Sequence, residues 1–220
     1  MSDRQRLWIF DWDGTLVDSL GRIEQCMRLA MADCQLPDRD TASIRNIIGL
    51  GLREALDTLF PGLLPVQHEQ LRERYSQHFV ALDGQPCQFH EGALPLLNRL
   101  REQGDLLAVA TGKSRRGLDR ALAAYGMSDF FEATRCADES ISKPAPDMVL
   151  ELLGMTGADA GWTVVVGDTE YDLAMAASAG VHRIGVDFGA HAPERLQGHA
   201  PLACVGHLSE LLEWRHAVRG

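Results

Sequence analysis

Residues 7–16 combine an apolar run with two closely spaced carboxylates: Leu7-Trp8-Ile9-Phe10-Asp11-Trp12-Asp13-Gly14-Thr15-Leu16. Consecutive apolar residues are typical of a strand buried on both faces, as in a parallel sheet covered by helices. Such a strand has no room for charge, so we expect Asp11 and Asp13 at its carboxyl end, where open α/β sheets have their ligand crevice. Two carboxylates at this spacing repel each other unless a cation or substrate lies between them. The stretch therefore predicts a ligand site, with a loop of two solvated aspartates as the alternative.

The composition is that of an ordinary globular protein, with 45% hydrophobic and 24% charged residues in a chain of 220. The formal net charge of −10, without any basic run, argues against nucleic acid or a membrane surface as a partner. Five scattered cysteines without a Cys-x-x-Cys pair indicate reduced thiols and no cysteine-rich metal site. No apolar segment approaches membrane-spanning length. We expect a cytoplasmic protein that is a monomer or a small homo-oligomer.

The hydrophobic period changes from strand to helix after Leu16. Four helical stretches follow without any strand pattern, and the turn residues Asp83-Gly84-Gln85-Pro86 end this block. Beyond it, strand and helix signals alternate, with residues 130–134 as one short strand, which predicts a doubly wound parallel sheet with right-handed crossovers. The predicted architecture is an α/β core of residues 1–16 and 86–220 with an inserted all-helical cap of residues 17–85.

Polar residues also follow the other predicted strands of this core. Thr111 and Asp168 each come after a buried apolar run, Asp172 is four residues further on, and Lys143 precedes a proline at a helix start. Each has a structural interpretation: a loop hydroxyl, a solvated loop aspartate, a capping-box residue after Thr169, and a surface lysine. Because strand ends converge at one edge of a parallel sheet, the set together indicates a phosphate or metal site.

Two glycine motifs resemble nucleotide-binding loops but lack required residues. Gly112-Lys113-Ser114 looks like the end of a P-loop, yet Leu107 stands where that loop needs a glycine. Gly49-Leu50-Gly51 lacks the third glycine of a dinucleotide fingerprint and follows a helical stretch. Neither motif predicts nucleotide binding.

The chain resembles the haloacid dehalogenase superfamily, and most of all its phosphoglycolate phosphatase-like branch. Four motifs in chain order carry this resemblance, namely Asp11-Trp12-Asp13-Gly14-Thr15, Thr111-Gly112, Lys143-Pro144 and Gly167-Asp168-Thr169-Glu170-Tyr171-Asp172. The resemblance extends over essentially the whole chain, including a helical cap after the first strand. It implies a Rossmann-like core and a Mg²⁺-dependent phosphatase that acts on a small phosphorylated metabolite.

The resemblance also implies a role for each motif residue. Asp11 would be the nucleophile that forms an aspartyl-phosphate, and Asp13 the general acid and then the general base. Thr111 and Lys143 would bind the phosphoryl oxygens, next to Gly112, which replaces the asparagine of many relatives and removes one side-chain contact. Mg²⁺ would be bound by Asp11, the backbone carbonyl of Asp13, Asp168 and, directly or through a neighbouring group, Asp172. Carboxylates, waters and phosphate oxygens are the ligands that Mg²⁺ prefers.

Alternatives within the superfamily differ at single positions. Dehalogenases lack the second aspartate, which is Asp13 here, and the phosphonate-cleaving branch needs a cap lysine that this cap does not have. Sugar-phosphate mutases carry a histidine where this chain has Ile23. A mutase, an inorganic pyrophosphatase and a non-catalytic module that senses phosphorylated ligands remain the alternatives to a phosphatase.

The cap turn Gly49-Leu50-Gly51-Leu52-Arg53 is predicted to face the crevice when the cap closes. Arg53 could then contact an anionic group of the substrate. The alternative is a surface arginine that pairs with Asp57 one helical turn later.

Overall fold

The computed structural model describes residues 5–82 and 85–219. Its centre is a sheet with the strands β1 Leu7–Phe10, β2 Leu106–Thr111, β3 Ala133–Cys136, β4 Thr163–Gly167, β5 His182–Val186 and β6 Cys204–Val205. The strands are all parallel, in the order β3-β2-β1-β4-β5-β6. The predicted doubly wound α/β fold is confirmed.

Strand β1 lies in the middle of this sheet. Its four residues are completely buried, as the apolar run predicted. Phe10 lies beside Val109 of β2 and Val166 of β4, so the residues that follow these three strands share one edge of the sheet. This register brings Asp11, Thr111 and Asp168 to the same edge.

Ten α-helices accompany the sheet in the described part of the chain. The four that follow β1 are α1 Leu20–Asp33, α2 Thr41–Asn46, α3 Leu52–Leu59 and α4 Pro65–Ala81. The others are α5 Ala93–Glu102, α6 Arg115–Ala124, α7 Asp147–Thr156, α8 Glu170–Ser178, α9 Pro193–Gln197 and α10 Leu211–Trp214. Helices α1 to α4 form an insertion with its own apolar core, which includes Met27, Ala30, Ile44, Leu56 and Leu71. None of the described residues between β1 and β2 belongs to a regular strand.

The connections between this helical cap and the core run side by side. Val17 forms an antiparallel bridge with Phe89, and the Asp18 amide donates to the Gln88 carbonyl at 2.9 Å. Asp83 and Gly84 of the predicted hinge lie outside the described residues. The assignment of residues 17–85 to the cap stays a prediction.

The prediction for residues 130–134 is wrong in its position. The strand is Ala133–Cys136, whereas Phe130 and Phe131 lie in the turn before it. Both rings pack against the core, and the Phe131 ring meets the edge of Trp12 at 6.3 Å between centroids. Aromatic residues are common in strands, and a turn whose aromatic side chains pack on the core has a similar composition. This similarity explains the error.

The shortest elements were not predicted at all. Strand β6 has two residues, too few to show a hydrophobic period.

All five cysteines are free, in agreement with the reduced thiols expected from their spacing. Within the described residues, no helix combines the length and the apolar character that crossing a membrane requires.

Candidate active site

Three buried carboxylates meet at the carboxyl edge of the sheet. Asp11 follows β1, Asp168 follows β4, and Asp172 lies in the first turn of α8. One carboxylate oxygen from each lies within 4.8 Å of the others, and all three side chains are buried. The solvated-loop interpretation of Asp11 and Asp168 is therefore wrong.

Glycines make room for this cluster. A Cβ atom on Gly14, whose φ is +82°, would lie 2.4 Å from Asp168 Oδ2. A Cβ atom on Gly189 would lie 2.1 Å from Asp168 Cβ. Both positions need a residue without a side chain because the backbone passes so close to the carboxylate.

Lys143 supplies the positive charge between two of these carboxylates. Its Nζ lies 2.8 Å from Asp11 Oδ1 and 2.6 Å from Asp172 Oδ1, and its side chain is completely buried. The surface-lysine interpretation is therefore wrong. Asp168 is fixed separately, because Oδ1 accepts from Thr15 Oγ1 at 2.7 Å and Oδ2 from the Ala190 amide at 2.8 Å.

Asp172 has two roles, and the sequence suggested both. It forms a capping box with Thr169, whose amide and hydroxyl donate to Asp172 Oδ2 at 3.1 and 2.6 Å. Its other oxygen pairs with Lys143. Capping therefore orients the carboxylate towards the cluster, and the two interpretations are compatible.

Burial and mutual repulsion change the acidity of this cluster. Burial, with the neighbouring Asp172 and Asp168, raises the pKa of Asp11 well above its ordinary value, and Lys143 offsets part of this shift. Burial and Asp172 raise the pKa of Asp168 to about 7. Burial alone would lower the pKa of Lys143, but Asp11 and Asp172 outweigh it and raise that pKa. The raised pKa values of Asp11 and Asp168 indicate that Lys143 alone does not neutralise the three carboxylates.

A divalent cation fits this arrangement. Asp11 Oδ2 is buried and accepts no hydrogen bond from any residue that the structure describes. Three carboxylates face one ammonium group, so with all three ionised the cluster would carry three negative charges against one positive charge. Buried carboxylate oxygens without donors are the ligands that a hard cation such as Mg²⁺ takes. The cluster of Asp11, Asp168 and Asp172 therefore fits a divalent cation.

The carboxylate of Asp13 lies outside this cluster and has its own partners. Oδ1 accepts from Ser19 Oγ at 2.6 Å, and Oδ2 lies 3.1 Å from Lys113 Nζ. Ser19 directly precedes α1, but its side chain makes no capping bond, and its hydroxyl donates to Asp13 instead. Both carboxylate oxygens of Asp13 therefore have partners already. The group of Asp13 that could bind a metal is its backbone carbonyl, as the family resemblance implies.

Lys113 is a site residue that the sequence analysis missed. It follows Thr111, which is buried at the end of β2 and whose Oγ1 accepts from the Lys113 amide at 3.2 Å. The Lys113 ammonium lies 4.4 Å from the centre of the Phe79 ring in α4, besides pairing with Asp13. The sequence does contain a signal for it, since Lys113 is one of only two lysines and lies two residues after the end of β2.

The cap turn that contains Gly49 and Gly51 packs on the core, as predicted. The Gly51 amide donates to Ser142 Oγ at 2.7 Å. A Cβ atom on Gly112 would lie only 2.3 Å from the Leu50 carbonyl oxygen. The absence of a side chain at Gly112 thus leaves space for the cap backbone.

A second set of contacts between cap and core centres on Asn46 at the end of α2. Its carbonyl accepts from Tyr171 Oη at 2.8 Å and from His191 Nε2 at 3.3 Å. Its side-chain oxygen accepts from Arg195 Nη1 at 2.8 Å. None of these residues was predicted, because their spacing in the chain carries no periodic signal.

Between cap and core lies a cavity of about 500 Å³, which the cap turn and Asp11, Asp13, Thr111, Gly112 and Lys113 all line. Arg53 also lines it and is exposed. Within residues 5–82 and 85–219, Asp57 lies 3.3 Å from His68 and forms no ion pair with Arg53, so the structure does not contain the alternative pair.

We expect Gly112→Ala to lower kcat/KM about 10- to 100-fold, because the added methyl group would displace the Leu50 carbonyl and with it the cap turn. Steady-state kinetics and hydrogen exchange over residues 46–52 measure the two effects. Gly154→Ala is the matched control, since a Cβ atom there meets nothing within 4 Å. Unchanged exchange and activity in Gly112→Ala would contradict this account of the turn.

Comparisons with known proteins give a consistent result. Residues 8–186 match the family model described as "Haloacid dehalogenase-like hydrolase". The chain is 36% identical to "Probable phosphatase IndB" of Dickeya dadantii, over 96% of this chain and 94% of that one. It is 30% identical to a "Phosphoglycolate phosphatase" of Mannheimia succiniciproducens, over 86% and 88% of the two chains. The crystal structure of a hydrolase from Pseudomonas syringae shares the fold, with a TM-score of 0.88, 24% identity and coverage of 98% and 100%.

Proposed function

The chain belongs to the haloacid dehalogenase-like hydrolase family, and we propose that it is a Mg²⁺-dependent phosphatase. The proposed reaction is hydrolysis of a small phosphate monoester through an aspartyl-phosphate on Asp11. One observation carries the proposal: a buried carboxylate with an unpaired oxygen lies beside Lys143, while a second carboxylate, Asp13, is oriented separately.

In the first step, Asp11 Oδ2 attacks phosphorus, and the bond between phosphorus and the ester oxygen breaks. Lys143 binds a phosphoryl oxygen while its pairing with Asp172 keeps the ammonium fixed beside Asp11. Asp13 gives a proton to the departing alkoxide, and its hydrogen bond with Ser19 fixes its orientation. Thr111 contributes its hydroxyl to the phosphoryl oxygens.

In the second step, Asp13 takes a proton from water, which attacks the phosphorus of the aspartyl-phosphate and releases Asp11 and inorganic phosphate. A carboxylate nucleophile divides one difficult displacement into two easier ones. Mg²⁺, bound by Asp11, Asp168 and Asp172 with the Asp13 carbonyl, would neutralise charge on the transferring phosphoryl group. The cap turn packs against Gly112 and Ser142, and closure of the cap over a bound substrate would limit access of water to the reacting groups.

The relatives suggest a first substrate to test. Several are phosphoglycolate phosphatases by name, which makes phosphoglycolate the reference monoester for this chain. Asp13 supports hydrolysis over ligand sensing, because a binding module has no use for a general acid.

The experiment is Mg²⁺-dependent phosphate release from phosphoglycolate, sugar phosphates, nucleoside monophosphates and pyrophosphate. We expect turnover of at least one monoester, and its loss when the metal is chelated. Turnover of pyrophosphate alone, conversion of one sugar phosphate isomer into another, or binding without release would each contradict the proposal and favour the corresponding alternative.

We expect Mg²⁺ to raise the Tm more at pH 8 than at pH 6. The raised pKa of Asp168, about 7, means that the metal-free folded protein keeps a proton that the unfolded chain releases above about pH 4. The unfolding free energy of the metal-free protein therefore falls as pH rises between these values, and a cation that displaces the proton stabilises most above pH 7.

Thermal unfolding with and without Mg²⁺ at both pH values measures this difference. Asp168→Asn should lose most of the stabilisation by Mg²⁺, whereas Asp18→Asn, which changes an exposed carboxylate, should keep it. An equal increase in Tm at both pH values would contradict the assigned ionisation of the cluster.

We propose that Arg53 contacts a charged group of the substrate, since its exposed side chain lines the cavity. Arg53→Ala should raise KM for anionic phosphoesters about 5- to 10-fold with little change in kcat, because one charge-assisted hydrogen bond is lost. Arg99→Ala, which removes another exposed arginine, is the control. Unchanged kinetics on every anionic ester would show that Arg53 is a surface residue.

A further inference from the structure

The cavity above the carboxylate cluster is much larger than a phosphoglycolate molecule needs. Its volume of about 500 Å³ falls within the range of roughly 300–1,000 Å³ that is typical of sites for drug-sized ligands. Glycolate, the alcohol that phosphoglycolate would release, has only two carbons. The space beyond the phosphoryl position is therefore available to a bulkier leaving group.

The cap walls of this space are apolar and aromatic. Helix α1 contributes Ile23 and Met27, and α4 contributes Tyr75 and Phe79, each pair one helical turn apart on the same face. The two rings of α4 are 5.8 Å apart between centroids. A flat or cyclic apolar group would be desolvated between these walls, which favours its binding.

Most of the cations that line the cavity already have partners within the protein. Arg22 donates to the carbonyls of Leu82 and Gln85 at the junction of cap and core. Lys113 pairs with Asp13 and Arg72 with Glu69, and Arg120 also has a partner within the protein. The exposed Arg53 would contact the phosphoryl group, which is the charged group of the proposed substrate. A carboxylate placed against Ile23 and Met27 would lose its water without gaining a partner, which is costly.

Tyr75 adds a polar group to the aromatic wall. Its hydroxyl makes no hydrogen bond to another residue that the structure describes, and the half-buried side chain lines the cavity. Burial, with the nearby charge of Asp13, raises the pKa of this phenol well above its ordinary value, so it stays protonated. An unpaired phenol that lines the cavity can donate to an oxygen or nitrogen of the leaving group.

We propose that the substrate is a phosphate monoester of a neutral alcohol that carries a ring, and that this ring binds against Tyr75 and Phe79. The proposal rests on the proposed phosphatase function and specifies its substrate class. Phosphoglycolate is then a poor substrate, because it leaves the apolar walls of the cap without a contact.

The test compares phenethyl phosphate with ethyl phosphate and phosphoglycolate in the presence of Mg²⁺. Phenethyl and ethyl phosphate release primary alcohols of similar reactivity, so a difference between them reports binding of the ring. We expect kcat/KM for phenethyl phosphate to exceed the other two by about tenfold or more. Equal values for the two alkyl esters, or a higher value for phosphoglycolate, would overturn the proposal.

Variants of the two aromatic residues of α4 test whether the ring of the substrate binds against them. Phe79→Leu and Tyr75→Leu should each reduce kcat/KM for phenethyl phosphate several-fold more than for ethyl phosphate. Val80→Ala is the matched control, because Val80 follows Phe79 in the same helix and is 46% exposed. It should leave the ratio between the two esters unchanged. A ratio that stays unchanged in Phe79→Leu and Tyr75→Leu would place the ring elsewhere and refute the assigned wall.

A binding measurement separates this proposal from the phosphatase function itself. Phenylpropyl phosphonate and propyl phosphonate are non-hydrolysable counterparts of the two alkyl esters, and calorimetry gives their Kd values on the wild-type protein with Mg²⁺. Absence of turnover on every ester would refute the phosphatase function, while the phosphonate pair still tests the cavity. We expect the phenyl compound to bind about tenfold more tightly, and equal Kd values would overturn the proposal.

Discussion

Replacing Asp11 by asparagine is expected to reduce phosphate release by at least about 10⁴-fold. The amide cannot attack phosphorus, and the unpaired carboxylate oxygen beside Lys143 is lost. Folding should survive, because the substitution removes a carboxylate whose burial, with Asp172 and Asp168 near it, raises its pKa. The unfolding free energy without metal should therefore stay the same or increase.

Single-turnover kinetics, circular dichroism and acid-quench trapping of phosphoenzyme measure these effects. Asp18→Asn makes the same chemical change at an exposed position on the same loop, and its activity should stay within about twofold of the wild-type value, as for other surface changes. A phosphoenzyme that still forms in Asp11→Asn would mean that another residue is the nucleophile.

Replacing Lys143 by methionine is expected to lower the unfolding free energy by about 3–5 kcal/mol at pH 8 without metal. The substitution leaves Asp11 and Asp172, both fully buried, without their shared cation. At pH 5 the loss should be smaller, since the raised pKa of Asp11 lets this carboxylate take up a proton instead. Mg²⁺ should restore part of the stability, and kcat should fall about 10²- to 10³-fold because the phosphoryl oxygens lose a fixed positive charge.

Chemical denaturation at both pH values measures the unfolding free energy of Lys143→Met, and steady-state kinetics measure its kcat. Arg99→Met removes a cation from an exposed pair with Glu102 at 3.2 Å and should cost less than about 1 kcal/mol. A destabilisation of Lys143→Met that does not depend on pH would mean that lost packing, and not the uncompensated carboxylates, is responsible.

The local pattern of the sequence predicts much of the fold and of the site. The apolar run before Asp11 and the later runs before Thr111 and Asp168 predict three strands of one parallel sheet, and the structure confirms this and places them side by side. Burial on both faces of a central strand demands consecutive apolar residues, so this feature is visible in a single segment. The helical period between β1 and β2 likewise predicts the cap, because the apolar residues of an amphipathic helix are spaced so that they lie on its buried face.

The local sequence pattern does not predict which side chains the site residues contact. The sequence indicates that Lys143 lies near a strand end, but only the packing of α7 against the sheet brings its Nζ between Asp11 and Asp172. Ser19 has the composition of a helix cap, and tertiary contact alone turns its hydroxyl to Asp13. When a side chain has two available hydrogen-bond partners, the packing of the folded chain decides which one it contacts. Its position in a local motif does not.

The cavity and the contacts between cap and core depend on the tertiary structure in the same way. Asn46 meets Tyr171, His191 and Arg195, which are 125 to 149 residues further along the chain. The sequence by itself determined the α/β core, the inserted helical cap and the acidic residues at the strand ends, because burial imposes a period on each segment. Only the tertiary structure decided which charges pair, where the cap turn packs and how apolar the cavity is, because these depend on how separate segments face one another.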